Sequence, residues 1–222
     1  TLGEFYGWHY GFGAAGVGMF AGLVIYVAGR RYLPPELRPT RAPAATTATR
    51  GNQRKAFGLL LGVGIAATIF RGAYEQVGNT LPLWIDTGVN RALGDFTIPM
   101  TWFQSLNPLL VILMTPLLLW AWRRRADAGH ETTPAMRMAI GALIVAAAYL
   151  LLALLASTSG SVAPHWGWLV LFFGILTFGE LYILPTGLGL FATLAPPRLG
   201  ATTVASWFLA IFTGSLLAGL VG

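Results

Sequence analysis

The sequence contains no cysteine, which excludes a disulfide framework, thiolate metal sites and a cysteine nucleophile. Its three histidines are scattered, at His9, His130 and His165, and leave no imidazole cluster for a zinc hydrolase. Charge is scarce as well. Charged residues occupy 10% of the 222 positions, against about 25% in soluble domains, so there is too little polar surface to cover a water-soluble particle. Apolar residues take that place, at 55% of the chain, and the mean hydropathy is +0.66. Glycine is abundant, with 28 residues where the usual ~7% gives about 15. Glycine inside apolar runs belongs to closely packed membrane helices. The composition is that of an all-α integral membrane protein.

Stretches of about 20 apolar residues mark six spans, at 8–28, 57–77, 101–122, 136–156, 166–194 and 198–221. A net charge of +6 would suggest nucleic acid in a soluble protein, but here the placement of the charges matters more than their sum. If the spans alternate in direction, one side collects Arg30, Arg31, Arg38, Arg41, Arg50, Arg54 and Lys55, then Arg123, Arg124, Arg125 and Arg137, then Arg198. Only Arg91 lies in a loop on the other side, and Arg71 lies within a span. Basic loops stay in the cytoplasm, so the charge is a signal of topology in an inner (plasma) membrane, and nucleic-acid binding drops out. Both ends of the chain then face outward with no cleavable signal pattern, an arrangement that suits part of a longer polypeptide with further helices.

Span one carries Ala14, Gly18 and Gly22 at intervals of four, and Gly58 and Gly62 repeat the pattern in span two; small residues so spaced let another helix approach closely. Residues 11–16 also spell G-x-G-x-x-G, but no strand precedes them and no acidic residue follows at the distance a dinucleotide fold needs. Residues 34–50 hold Pro34, Pro35, Pro39 and Pro43 with several Ala, Thr and Arg and no apolar periodicity, the composition of a linker. The expected organisation is a last helix of one bundle at 1–28, a basic cytoplasmic linker at 29–56 and a second, incomplete bundle at 57–222.

An ionisable side chain at mid-bilayer costs at least ~2.5–3.5 kcal/mol on insertion scales and persists where it faces a cavity or a partner. Glu180 is the sharpest case, at the midpoint of 166–194 among Gly174, Gly179, Gly187 and Gly189, with Pro185 removing a backbone donor. Broken helices near the midplane are where transporters place their sites; the alternative is a protonated carboxyl bonded to a neighbouring helix. Arg71 and Glu75 stand four residues apart, on one helical face, and are placed to pair, or as charges near a span end to reach the interface. Asn107, six residues into span three, offers a donor and an acceptor suited to a peptide group, with interhelical packing an equal alternative. Trp207, deep in the last span, either lines a cavity or packs the core. No central Lys or Arg is available to hold a substrate carboxylate, which assigns that cation to helices outside this sequence.

Several segments together resemble the proton-coupled oligopeptide transporters of the major facilitator superfamily. Phe70-Arg71-Gly72-Ala73-Tyr74-Glu75-Gln76 is similar to the family's F-W-x-x-F-E-Q signature in its seventh helix. Gln104-Ser105-Leu106-Asn107-Pro108 resembles F-Q-S-x-N-P in the eighth, and Gly179-Glu180-Leu181-Tyr182 with Pro185, Gly187 and Leu188 resembles G-E-L-x-x-x-P-x-G-L in the tenth. Gly7–Gly13 and Ser206–Leu209 resemble its sixth and eleventh helices. The resemblance implies proton-driven uptake of di- and tripeptides, with the proton as coupling ion, no other cofactor, and the remaining helices of the same transporter and the lipid bilayer as partners. By motif position, Glu180 receives the peptide amino terminus and forms an ion pair between bundles when the site is empty. Asn107 hydrogen-bonds the peptide and Trp207 lines a side-chain pocket. Glu75 pairs with an Arg of the family's E-x-x-E-R motif at the outer gate. Arg71 stands where the family has Trp in the pocket wall, which the resemblance counts among the substrate-binding positions, and Leu184 stands where many members have Ser.

Three other readings compete. A six-span intramembrane hydrolase needs a nucleophile and base within the membrane, but Ser157, Ser159 and Ser161 near His165 lie in an outer loop. A major facilitator transporter of another solute, such as nitrate or a drug, tolerates Glu180 but fits the Gln-Ser-x-Asn-Pro segment less well. A purely structural helix bundle leaves the mid-span Glu180 unexplained.

Overall fold

The computed structural model describes residues 6–32, 50–130, 132–158, 163–195 and 199–221, excepting the side chains of 50–55 and 221. The linker expected at 34–50, with Arg38 and Arg41, lies outside the described residues, as do Arg198, Ser159, Ser161 and the side chains of Arg50, Arg54 and Lys55. The chain divides into two compact units, Thr1–Ala44 and Ala45–Gly222.

Among the described residues, the first unit holds the helix α1 (Trp8–Gly29), extended by a 3-10 turn over Arg30–Tyr32. Its residues are apolar on every side and none is buried. The second unit comprises α2 (Arg50–Glu75), a short α3 (Thr80–Gly88), a two-stranded antiparallel hairpin of β1 (Ala92–Leu93) and β2 (Phe96–Thr97), then α4 (Met100–Asp127), α5 (Pro134–Thr158), α6 (Gly167–Thr193) and α7 (Gly200–Val221). All six apolar runs form helices long enough to cross a membrane.

α2 stops at Glu75 because the chain turns at once: Gly78 and Asn79 N–H groups donate back to the Glu75 carbonyl, and Leu81 N–H to that of Gln76. The Tyr149 hydroxyl from α5 donates to the Ala73 carbonyl, which also accepts from the Gln76 N–H at 3.1 Å in the tightened last turn. α3 and the hairpin follow, with Gly94 at φ +64° in the hairpin turn, a value that glycine adopts without steric cost. Neither element was expected from the sequence. The opposite end of α4 closes through Gly129 at φ +74°, with His130 N–H donating to the Arg125 carbonyl, a left-handed helix stop.

α6 is the core helix. Phe172, Phe173, Leu176 and Thr177 are fully buried where α6 meets α5, α4, α7 and α2. Association in lipid depends on close packing rather than on expulsion of water, and three glycine contacts supply it. A Cβ on Gly141 of α5 would lie 2.9 Å from the Gly179 carbonyl, and a Cβ on Gly179 of α6 would lie 2.9 Å from the Gly141 carbonyl, so these two backbones touch. A Cβ on Gly214 of α7 would meet the Thr68 carbonyl of α2 at 2.5 Å, where Thr68 Oγ1 donates across to the Ala210 carbonyl at 3.0 Å. The Trp207 ring of α7 fills the space beside Gly187 of α6. The glycines that the sequence put forward behave differently: Gly18, Gly22, Gly58 and Gly62 have no described atom within 4 Å of a Cβ. Among the described helices, the close packing runs through Gly141, Gly179, Gly187 and Gly214.

The loops that join the helices gather at two ends. Asn90, after α3, pairs with the entrance of α6 through Asn90 N–H to Pro164 carbonyl (2.9 Å) and Trp166 N–H to Asn90 carbonyl (3.1 Å). Arg91 beside it holds Asp86 at 2.6 Å. The arginine-rich α4–α5 turn lies at the other end.

Candidate functional site

Three helices converge on Glu180. It stands midway along α6, one position after the glycine that brings α5 close. Pro185 lacks the N–H that would bond the Leu181 carbonyl, so the helical ladder misses one bond next to Glu180. From α4 comes Asn107, 7% exposed, held just before Pro108 of the same helix. Its Nδ2 donates to Glu180 Oε2 at 3.0 Å and to the Tyr74 hydroxyl of α2 at 2.9 Å. One amide thus joins three helices. Among the described residues no cation lies within ion-pair distance of Glu180; the pairs there are Arg71–Glu75 and Arg91–Asp86.

A second cluster continues from Tyr74 toward the end of α2. The Arg71 guanidinium lies 5.2 Å from the centre of the Tyr74 ring, a cation–π distance. Its Nη2 forms the ion pair with Glu75, four residues on. Ser215 of α7 closes a triangle: Arg71 Nε donates to Ser215 Oγ at 3.1 Å, and Ser215 Oγ donates to Glu75 Oε1 at 2.8 Å. The expected pairing of Arg71 with Glu75 forms, and it is tied to α7 as well as to its own helix. The expectation that no cation approaches the centre is revised in part. Arg71 reaches the Tyr74 end of the Glu180 cluster, but with its charge already matched by Glu75.

The two clusters together carry Arg71 against Glu75 and Glu180, a net charge of one negative. A carboxylate has about four acceptor positions, and Asn107 uses one at Glu180. The arrangement therefore suits a donor cation placed on Glu180, with an amide beside it to align a second polar group.

Trp207, named from the sequence as a pocket wall, is 3% exposed. Its ring lies against Gly187 and 5.4 Å from the Phe191 ring, the core-packing alternative. Leu184 packs against the core. The sequence reading omitted Tyr74 and Ser215. Each carries a hydroxyl inside an apolar helix, and such a group needs a partner when buried; that was the available signal. Thr177, fully buried one turn before Glu180, has a hydroxyl without a hydrogen-bond partner among the described residues. Separately, a groove of about 310 Å³ lined by Gln76, Leu81, Trp84, Tyr149, Leu152 and Ala156 contains no ionisable carboxylate or cation and stands apart from this chemistry.

Comparison with known proteins adds to the geometry. The model of the POT family (PTR2) matches residues 39–222. The chain is 34% identical over 163 residues to the peptide transporter YePEPT of Yersinia enterocolitica subsp. palearctica, covering 71% of this chain and 32% of that protein. It is 30% identical over 160 residues to a di-/tripeptide transporter of Lactococcus lactis subsp. cremoris, covering 69% of this chain and 31% of that one. In shape it is similar to a crystal structure of a peptide transporter POT in complex with sulfate, with TM-score 0.78 and 25% identity over 100% of this chain and 56% of that chain. The matched part thus spans about a third of the length of the two transporters and just over half of the solved chain.

Proposed function

The chain belongs to the POT family of the major facilitator superfamily, and we propose that it forms part of a transporter that carries di- and tripeptides into the cell together with protons. The observation that carries this reading is the Glu180 carboxylate: midway along a membrane helix, held by Asn107, and without a cationic partner among the described residues. A zwitterionic peptide brings an ammonium group that completes it. Asn107 and Tyr74 align the adjoining peptide group, and the cation for the peptide carboxylate comes from helices beyond this chain. Trp207 acts at one remove, seating α7 against α6 behind Glu180.

Proton coupling in this account runs through the acids. When the two halves of a transporter rock, ion pairs at Glu75 and Glu180 form and break, so proton binding is linked to which side is open. The basic ends of the helices face the cytoplasm, as the excess of arginine there requires, and the protein resides in the plasma membrane. In this account the cluster binds substrate and exchanges protons, and we assign it no enzymatic step. The test is uptake of a labelled dipeptide by the full-length protein in proteoliposomes under an imposed proton gradient. Accumulation that a protonophore abolishes, and that Glu180→Gln lowers by at least tenfold, is the expected result; no accumulation above the protonophore control overturns the proposal.

A further inference from the structure

A basic patch edged with tryptophan lies at the end of the bundle opposite Glu75. The last apolar stretch of α4 closes with Trp120 and Trp122, followed at once by Arg123, Arg124 and Arg125. Trp120 is 61% exposed, and the Arg124 guanidinium lies over its ring, 5.4 Å from the centroid. Side chains on a helix lean toward its N-terminus, which for α4 is toward the membrane interior. Arg124 is thereby drawn down to the level of Trp120, one turn or ~5.4 Å below its own backbone. With 3.6 residues per turn, Arg123 and Arg124 fall about 60° and 40° to either side of Trp120. Both are exposed, and among the described residues neither has a carboxylate within ion-pair distance.

Two ordinary effects favour arginine here, the negative end of the helix dipole and retention of basic loops in the cytoplasm. Both are satisfied by side chains extended into water. Neither calls for a guanidinium folded back over an exposed indole at the end of an apolar span. The nearby Arg137 shows the contrast: it lies 4.6 Å from the Trp122 ring centre, its Nε donates to Thr132 Oγ1 at 3.0 Å, and Trp122 packs edge-on to Tyr182. That cation is part of the bundle's own packing. Arg123 and Arg124 are not.

We propose that Trp120, Arg123 and Arg124 form a binding site for the headgroup of an anionic phospholipid. The two guanidiniums hold the phosphodiester by paired N–H donors, and the indole lies along the glycerol and the start of the acyl chains, the depth tryptophan prefers. A phosphate ester is the chemistry recognised, and a soluble phosphate offers it too; the exposed indole at the apolar boundary selects the lipid.

The test is titration of the purified full-length protein with phosphatidylglycerol, read as bound lipid by native mass spectrometry. Phosphatidylglycerol is expected to bind saturably and phosphatidylcholine to compete poorly. With two interfacial cations removed, R123Q/R124Q should weaken phosphatidylglycerol binding roughly thirtyfold. R123K/R124K, which keeps both charges but loses the paired donors, should fall between wild type and R123Q/R124Q, and Trp120→Ala should weaken binding less than the double arginine-to-glutamine change. Binding by R123Q/R124Q equal to wild type overturns the proposal. Displacement of the lipid by excess inorganic phosphate also overturns it, because the site is then one for free phosphate.

Discussion

At Glu180, the cost of holding an ionisable group in apolar surroundings is at least ~2.5–3.5 kcal/mol, and a hydrogen bond to a charged group returns about 1.5–3 kcal/mol. The two are of one size, so the Asn107 contact is what makes the carboxylate tolerable, and little is left over to lock it against exchange for a substrate amine. The same Nδ2 also serves Tyr74, so the two contacts are coupled. Asn107→Leu is expected to lower the melting temperature of the purified full-length protein, and adding Tyr74→Phe should cost less than Tyr74→Phe does alone; full additivity would show that the amide does not join them. Gly187 offers a steric test. A Cβ there would meet the Trp207 ring at 2.3 Å, and overpacking of this kind costs about 1–3 kcal/mol. Gly187→Ala should lower the melting temperature, and Gly187→Ala with Trp207→Leu should recover part of the loss. Glu180 and Asn107 were legible in the sequence because polar side chains stand out in apolar runs. Trp207 was not, because depth in a span does not tell whether a ring faces a cavity or a glycine on the next helix.

The helices themselves were almost entirely legible as elements, since each is a continuous apolar run bounded by charge, proline or glycine. Pairing between them was not. The touching backbones of Gly141 and Gly179 belong to no repeated small-residue spacing, and only the fold brings them together. α3 and the hairpin escaped because nine residues and two short strands carry no period that stands out beside 20-residue spans. The join of α2 to α7 combines the Gly214–Thr68 contact with the Arg71–Glu75–Ser215 triangle, which ties the two helices near the end of α2. Removing one partner of an ion pair in a low-dielectric setting strands the other charge, whereas removing both does not. Arg71→Leu should therefore destabilise the full-length protein more than Arg71→Leu/Glu75→Leu, measured as melting temperatures in one detergent. A double variant at least as unstable as the single one would mean that the pair is not what holds this end together.

On the scale of the whole molecule, the six helices present apolar side chains over much of their surface, with Phe20, Ile112, Leu143 and Phe212 among those most exposed, as a chain solvated by lipid and by further helices requires. The hairpin with Asp95 lies at the Glu75 end and the turn with His130 at the arginine end. These 222 residues include no cysteine, so in a full-length protein freed of any cysteine elsewhere, single cysteines report on sidedness directly. In intact cells, Asp95→Cys should react with an impermeant maleimide, and His130→Cys only after permeabilisation; the reverse pattern would invert the assigned orientation. The central claim is that Glu180 meets the ammonium group of the transported peptide, and the most direct measurement compares binding of a dipeptide with that of its N-acetylated form to the full-length protein. Wild type should prefer the free amine by tenfold or more, and Glu180→Gln should bind the two forms alike. Undiminished preference for the free amine in Glu180→Gln would contradict the account.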